Sequence, residues 1–335
     1  MPDQPKTRAE QSHPYDKLTP DIVLNALDSL GLITNGSLLA LNSYENRVYQ
    51  VGLEAGGFCV VKFYRPARWP DAAIREEHEF AFGLAAQEIP VVAPLLLAGD
   101  SLHEFQGFRL AVYPRKGGRS PDLSDPSQLV QLGRLLGRIH AYGAIAPFQH
   151  RPTLTVDNFG YESISYLLNN EFIPPHLLTA YTSVARDVME HVVAAYTRAG
   201  EIRNRRLHGD FHPGNLLWTE QGPHIVDLDD CRMGPAIQDL WMLLSGERHE
   251  MEAQLSTLLE GYSDFYDFDP VELQLLEALR SLRLIHYSAW LARRCNDPAF
   301  PRAFPWFNSD KYWEEQVLVL REQLAAMQEP ALTWF

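Results

Sequence analysis

The sequence predicts an α+β fold in two lobes, a small one of antiparallel β-strands and a larger, mainly α-helical one. Three observations carry this. The runs SLLALNSY, NRVYQVGL and GFCVVKFY are short and rich in aliphatic and aromatic residues, and Glu54–Gly57 makes a turn between the second and third. They read as an antiparallel meander. The segment Arg115–Pro121, RKGGRSP, has the strongest loop composition of the first half. Beyond it, helix-start signals and helical periodicity dominate. The expected division is a mobile, polar N-terminus over 1–18, a small lobe over 19–114, a hinge over 115–121 and a large lobe over 122–335.

Each element has a local reason. Thr19-Pro20-Asp21 offers a capping hydroxyl and a first-position proline, and that helix stops near Gly31. Residues 71–87 place Ile74, His78, Ala81, Phe82 and Ala85 on one face at helical spacing. Strands are expected at Ala93–Leu97 and Phe108–Pro114. Asp125-Pro126-Ser127-Gln128 opens a helix whose buried stripe is Leu129, Leu132, Leu136 and Ile139. A long helix is expected over Leu177–Ala199, ending at Gly200. A second capping box, Asp269-Pro270-Val271-Glu272, opens another that runs to about Cys295, and a last helix covers Asp310–Met327. The proline- and aromatic-rich stretch Pro298–Trp306 reads as a loop joining helices.

Composition narrows the function. The chain has 335 residues, 46% of them apolar, enough for one large domain or two joined lobes. Its net charge of −14 repels nucleic acid and anionic membrane, so neither is expected as a partner. A phosphate ligand would have to be met by locally placed cations or a metal. Cys59, Cys231 and Cys295 are scattered, with no C-x-x-C pair and no disulfide framework. No signal-peptide pattern or membrane-length apolar run occurs, and a cytoplasmic monomer is the expectation.

The chemistry concentrates in LHGDFHPGNLLW, Leu207–Trp218, and HIVDLDD, His224–Asp230. The runs LLW and HIV, joined by Thr219–Pro223, read as a hairpin that brings Asp210, Asn215 and Asp227 toward one rim. Phosphoryl transfer needs a carboxylate to orient and deprotonate the acceptor hydroxyl, and oxygen ligands for Mg²⁺. Aspartate and asparagine are the right hard donors, because Mg²⁺ takes few protein ligands. Taken singly, an aspartate before a turn is usually a cap. His208, His212 and His224 lack the close spacing of a zinc site. A lone strand lysine such as Lys62 is usually a snorkelling side chain. The specificity lies in the combined spacing.

HGDFHPGN, followed by VDLDD and GPAIQDLW, resembles the aminoglycoside-phosphotransferase-like kinase superfamily, whose catalytic motif is a variant of the protein-kinase H-R-D loop. LNSYENRVYQ, VVKFYRPARW, VDLDDCRMGPAIQDLWMLL and DPAFPRAFPW are similar to a family of bacterial stress response kinases within it. The likeness spans nearly the whole chain, apart from the first dozen or so residues and the extreme C-terminus. It implies a two-lobed protein-kinase-like fold, ATP as co-substrate with Mg²⁺, and a cytoplasmic serine/threonine protein kinase linked to stress survival. By the same resemblance Asp210 is the proton acceptor, Asn215 a magnesium ligand, and Asp227 the metal-binding aspartate of the kinase D-F-G motif. Ser43 matches the family's ATP-contact position, and Asp239 the aspartate that supports the catalytic loop. In the kinase frame Lys62 binds the α and β phosphates and pairs with a helix glutamate. At about 100° per residue, Glu77 borders the buried stripe of Ile74 and His78 while Glu76 points away, so Glu77 is the choice.

The sequence departs from the kinase pattern in places. No glycine lies between Leu38 and Val51, so Ser43 and backbone amides near Tyr44–Asn46 would have to meet the phosphates. Gly209 replaces the H-R-D arginine, and there is no A-P-E and little room for a phosphorylated activation loop before Asp239. Two other readings compete with a protein kinase. One is a small-molecule kinase acting on an aminoglycoside, choline or an amino alcohol. The other is a pseudokinase scaffold, which the presence of Lys62, Asp210, Asn215 and Asp227 opposes. Cys231, next to Asp229 and Asp230, is expected to be buried and inert rather than a redox sensor.

Overall fold

The structure, a computed structural model, describes residues 15–297 and 299–334. In chain order its main elements are α1 (Pro20–Ser29), β1 (Thr34–Ala40), β2 (Arg47–Leu53), β3 (Phe58–Phe63) and α2 (Asp71–Ala86). There follow β4 (His103–Phe105), β5 (Phe108–Pro114), α3 (Pro126–Gly143), α4 (Glu162–Asn169) and α5 (Leu178–Ala199). Next are β6 (Arg205–Leu207), β7 (Leu216–Thr219), β8 (Gly222–Ile225), β9 (Arg232–Gly234) and α6 (Ile237–Leu240). The last are α7 (Arg248–Tyr262), α8 (Leu276–Arg294), α9 (Phe300–Ala303) and α10 (Asp310–Ala326).

The chain divides into two compact units. The first comprises residues up to Trp69 together with Leu95–Arg115 and Arg294–Pro305. Its centre is an antiparallel sheet in the order β1-β2-β3-β5-β4. Along β3, alternation turns Cys59, Val61 and Phe63 toward a core shared with Val51, Phe108, Leu110 and Val112. Helix α1 closes that core with Val23, Ala26 and Leu27, and Thr19 caps it by accepting from the Ile22 N–H.

The first described residues differ from the expected mobile lead. Tyr15 is buried and its hydroxyl donates to the Phe63 carbonyl at 3.1 Å, while residues 1–14 lie outside the described part. The strand expected at Ala93–Leu97 does not form. Leu95 donates to Val112 O and Leu97 makes only an isolated bridge with Asp100, because Pro94 removes a donor just before them. The outer strand is β4 instead.

The second unit comprises Pro70–Pro94, Lys116–Arg293 and the residues from Trp306 onward. Its boundary with the first thus falls between Arg115 and Lys116, inside the loop-like stretch. Helix α2 groups with this helical unit and Arg294–Pro305 with the sheet, a different division from the one read off the sequence. Asp125 caps α3 by accepting from the Ser127 N–H, and α5 ends at Gly200 with φ +70°. Close packing of α3 on α7 depends on missing side chains. A Cβ at Gly133 would lie 2.0 Å from the Leu258 carbonyl oxygen, and one at Gly261 2.1 Å from that of Val130. That contact sets His140 of α3 against Tyr262 of α7. The expected hairpin is β7–β8, with Leu216 opposite Ile225, and β6 pairs with β9. Among the described residues no helix is long and apolar enough to cross a membrane.

Candidate active site

The segment that leaves β6 is held by one carboxylate. Asp239 is fully buried; its Oδ2 accepts from the His208 N–H and its Oδ1 from the Gly209 N–H, both at 2.9 Å. His140 Nε2 completes the shell at 3.2 Å from Oδ2, and its Nδ1 lies 2.9 Å from the Tyr262 hydroxyl. Burial pushes the His140 pKa down, against the pull of Asp239, so the ring is neutral. It then donates Nε2–H to Asp239 and accepts the Tyr262 O–H. A buried carboxylate needs such donors, and three N–H groups supply them. The resemblance pointed to Asp239; nothing pointed to His140, which looks like one more residue of the α3 stripe.

The loop geometry explains its residues. Gly209 has φ +83°, and a Cβ there would meet the Asp230 carbonyl oxygen at 2.3 Å. An arginine at this position would clash with backbone, so glycine stands in its place. His208 Nε2 donates to Val226 O at 3.0 Å while its Nδ1 accepts from the Asp210 N–H at 3.3 Å, which fixes its tautomer. Asn215 Nδ2 donates to the Asp210 carbonyl at 3.0 Å and lies 3.5 Å from Asp210 Oδ2. The Val226 N–H in turn donates to Asn215 O at 3.0 Å, which draws the start of the Asp227 turn to the same place. Asp227 itself is left-handed, φ 61° and ψ 69°, before one turn of 3₁₀ helix at Leu228–Asp230. Aspartate and asparagine tolerate that region better than most side chains.

Arg283 and His212 frame Asp210. Arg283 Nη2 of α8 lies 2.6 Å from Oδ1, and His212 Nε2 lies 3.4 Å from Oδ2. Burial pushes this carboxyl up, but the His212 hydrogen bond and the Arg283 charge overcome it and hold Asp210 below the usual carboxylate range. Arg283 was invisible to sequence reasoning, since it sits 73 residues away on an ordinary amphipathic helix.

Helix α2 is tied to the same region. Glu77 is only 2% exposed, and its Oε2 accepts from Arg151 Nη2 at 2.6 Å. Arg151 Nη1 then donates to the Asp229 carbonyl at 2.8 Å, just after Asp227. Helical spacing put Glu77 on the buried side but did not find Arg151. Glu76 is also engaged: its carboxylate accepts the backbone N–H groups of Gln149, His150 and Arg151 at 2.5, 2.8 and 2.8 Å.

In the sheet unit, Lys62 is 5% exposed, sits opposite Val48 and Ala111, and carries its ammonium 4.8 Å from the Tyr64 ring centroid. Ser43 is half-buried in the loop between β1 and β2.

Asn215 and Asp227 fit a hard divalent cation. With the Asn215 amide nitrogen committed to Asp210, its Oδ1 is the atom left to meet such an ion. Among the described residues no group of three or more His, Cys, Asp or Glu forms a self-sufficient metal cage. That suits an ion whose shell is completed by phosphates and water.

Comparison with known proteins identifies the family. The model of the phosphotransferase enzyme family (APH) matches residues 37–276. The chain is 44% identical over 318 residues to stress response kinase A of Escherichia coli O157:H7, covering 95% of this chain and 96% of that protein. It is 42% identical, over the same shares, to serine/threonine protein kinase RdoA of Salmonella typhimurium strain LT2. Among solved structures, an amicoumacin kinase in complex with AMP-PNP, Ca²⁺ and Ami superposes with a TM-score of 0.71 at 19% identity, covering 95% of each chain. That likeness concerns the fold. A family match across most of the chain, joined to close relatives along nearly its full length, leaves one conclusion: this chain is a kinase of the phosphotransferase enzyme family.

Proposed function

We propose that this protein transfers the γ-phosphoryl group of Mg·ATP to serine or threonine hydroxyls of a protein substrate, as a cytoplasmic monomer acting in stress response. The observation that carries the chemistry is the link from Asp210 through Asn215 to the Val226–Asp227 turn, which gathers a base and two hard-oxygen ligands. The protein substrate is supported by the names of relatives at 42–44% identity.

In this reading Asp210, kept ionised by the His212 hydrogen bond and the Arg283 charge, orients the acceptor hydroxyl and takes its proton as the phosphoryl group departs from ATP. Bound Mg²⁺ would neutralise charge developing on the phosphate oxygens, with Asn215 and Asp227 as its ligands. Lys62 binds the α and β phosphates, Glu77 keeps the role of partner carboxylate read from the sequence, and Ser43 contacts ATP from its loop.

The test is incubation with [γ-³²P]ATP and Mg²⁺, offering casein in one arm and aminoglycosides, choline and amino alcohols in another. Labelled phosphoserine or phosphothreonine is expected. Transfer to small alcohols alone would overturn the protein substrate, and no transfer in either arm would overturn the whole reading.

A further inference from the structure

The proline- and aromatic-rich segment after α8 does more than join helices. Asp297 is buried, its side chain 1% exposed, and it receives two arginines of the sheet unit. Arg47 Nη2 lies 3.2 Å from each of its carboxylate oxygens, and Arg65 Nη2 lies 3.0 Å from Oδ2. Its Oδ1 also accepts the Ala299 N–H at 3.0 Å, which fixes the carboxylate to its own segment.

Both arginines continue into the glycine-free loop between β1 and β2. Arg47 Nη1 donates to the Tyr44 carbonyl at 3.1 Å, and Arg65 Nε donates to the Glu45 carbonyl at 3.0 Å. Arg65 N–H donates to Asn46 Oδ1 at 3.0 Å. The same segment grips the loop directly. Arg294 Nη2 meets Glu45 Oε2 at 2.5 Å, and the Tyr44 ring stands edge-on to Phe300 and Phe304, at 5.9 and 4.7 Å.

The direction of the peptides follows. In a planar trans peptide the C=O and the next N–H point opposite ways. With the Tyr44 and Glu45 carbonyls turned toward the arginines, the N–H groups of Glu45 and Asn46 turn away from them. Successive amides facing one way form an anion-binding concavity. Glycines give a loop this shape by conformational freedom; here a buried charge cluster imposes it.

We infer that Asp297 is a positioning residue for nucleotide binding, orienting the Tyr44–Asn46 amides toward phosphate through Arg47 and Arg65. The inference rests on the Mg·ATP reading of the 42–46 loop. Asp297→Asn keeps the shape of the side chain but removes the charge that holds both guanidinium groups.

The experiment measures Mg·ATP affinity by calorimetry, KM for ATP and kcat with casein, and the melting temperature. For Asp297→Asn we expect Kd and KM for ATP to rise about tenfold, the scale of a lost charge-assisted hydrogen bond, with kcat within about twofold. In that background Ser43→Ala should add less than it does alone, since both act through one loop. An Asp297→Asn protein that melts like the wild type and binds ATP equally well refutes the inference. Should it fail to fold, Arg47→Gln, which breaks the relay from the loop side, is measured in the same way, and unchanged ATP affinity there refutes it. Wild-type protein that binds no Mg·ATP refutes the phosphotransferase reading itself, and this role with it.

Discussion

The Arg283 guanidinium lies 2.6 Å from Oδ1 of Asp210, so the candidate base is already ion-paired before any acceptor arrives. With its pKa lowered, Asp210 is ionised throughout the range above the ordinary aspartate value, and its charge begins to disappear only below it. Arg283→Gln removes a positive neighbour and moves that pKa upward. The acid limb of the kcat profile should then shift to higher pH by about one unit. Superimposable acid limbs in variant and wild type would show that Arg283 does not tune the base.

Asp210→Asn should lower kcat by about 10²-fold or more while leaving Mg·ATP affinity unchanged, because a general base contacts the acceptor rather than the nucleotide. Single-turnover kinetics with calorimetry separates the two. Wild-type turnover in this variant would remove Asp210 from the chemistry.

Asp227→Ala should abolish transfer and erase the Mg²⁺ dependence of ATP affinity. Titrations in magnesium and in EDTA give the answer. A variant that still binds ATP more tightly with magnesium would count against Asp227 as a ligand. A small loss in melting temperature is compatible with the assignment, since alanine tolerates the left-handed backbone at 227 less well than aspartate.

His140→Phe should weaken the catalytic loop at a distance. It removes one of three donors to a buried carboxylate and takes away the acceptor of the Tyr262 hydroxyl, costing about 1–3 kcal/mol of stability. Because the loop carries Asp210, kcat should fall while KM for ATP stays near the wild-type value. Unaltered melting and unaltered kcat together would dismiss the relay through Asp239.

Cys231 should be indifferent to peroxide. It is fully buried, and burial pushes its thiol up to about 12, so little thiolate exists at neutral pH. Cys231→Ser is expected to leave peroxide sensitivity unchanged. A mass shift on Cys231 in treated wild type, lost along with sensitivity in the variant, would reverse this.

What was legible in the sequence is what is local in the chain. Asp210, Asn215 and Asp227 lie within one hairpin, so their spacing encodes their proximity. Helices α1 and α3 announce themselves through a capping side chain followed by proline. Arg283, His140 and Arg151 reach the site from distant parts of the chain, and a lone arginine or histidine on a helix or in a loop looks like any other. Asp269 caps as its sequence suggests, accepting the Val271 N–H at 3.1 Å, but the helix it opens begins as 3₁₀ over Pro270–Leu275 before continuing as α8, and the glutamate does not complete a capping box. Glu272 is drawn inward, its carboxylate taking Arg205 at 2.8 Å and the Ile237 N–H at 2.9 Å. A buried arginine without its carboxylate would cost more than a helix start gains.

The adjacent carboxylates of Glu76 and Glu77 bear on how such an enzyme can be controlled. Kinases that switch by swinging the corresponding helix need two positions of similar free energy. Here α2 could swing away only by surrendering three backbone donors and a buried guanidinium. Leaving the Arg151 guanidinium buried without its carboxylate would cost about 3–5 kcal/mol, which leaves such a displaced helix in fewer than about one molecule in a hundred. An equilibrium that lopsided leaves an effector little to select.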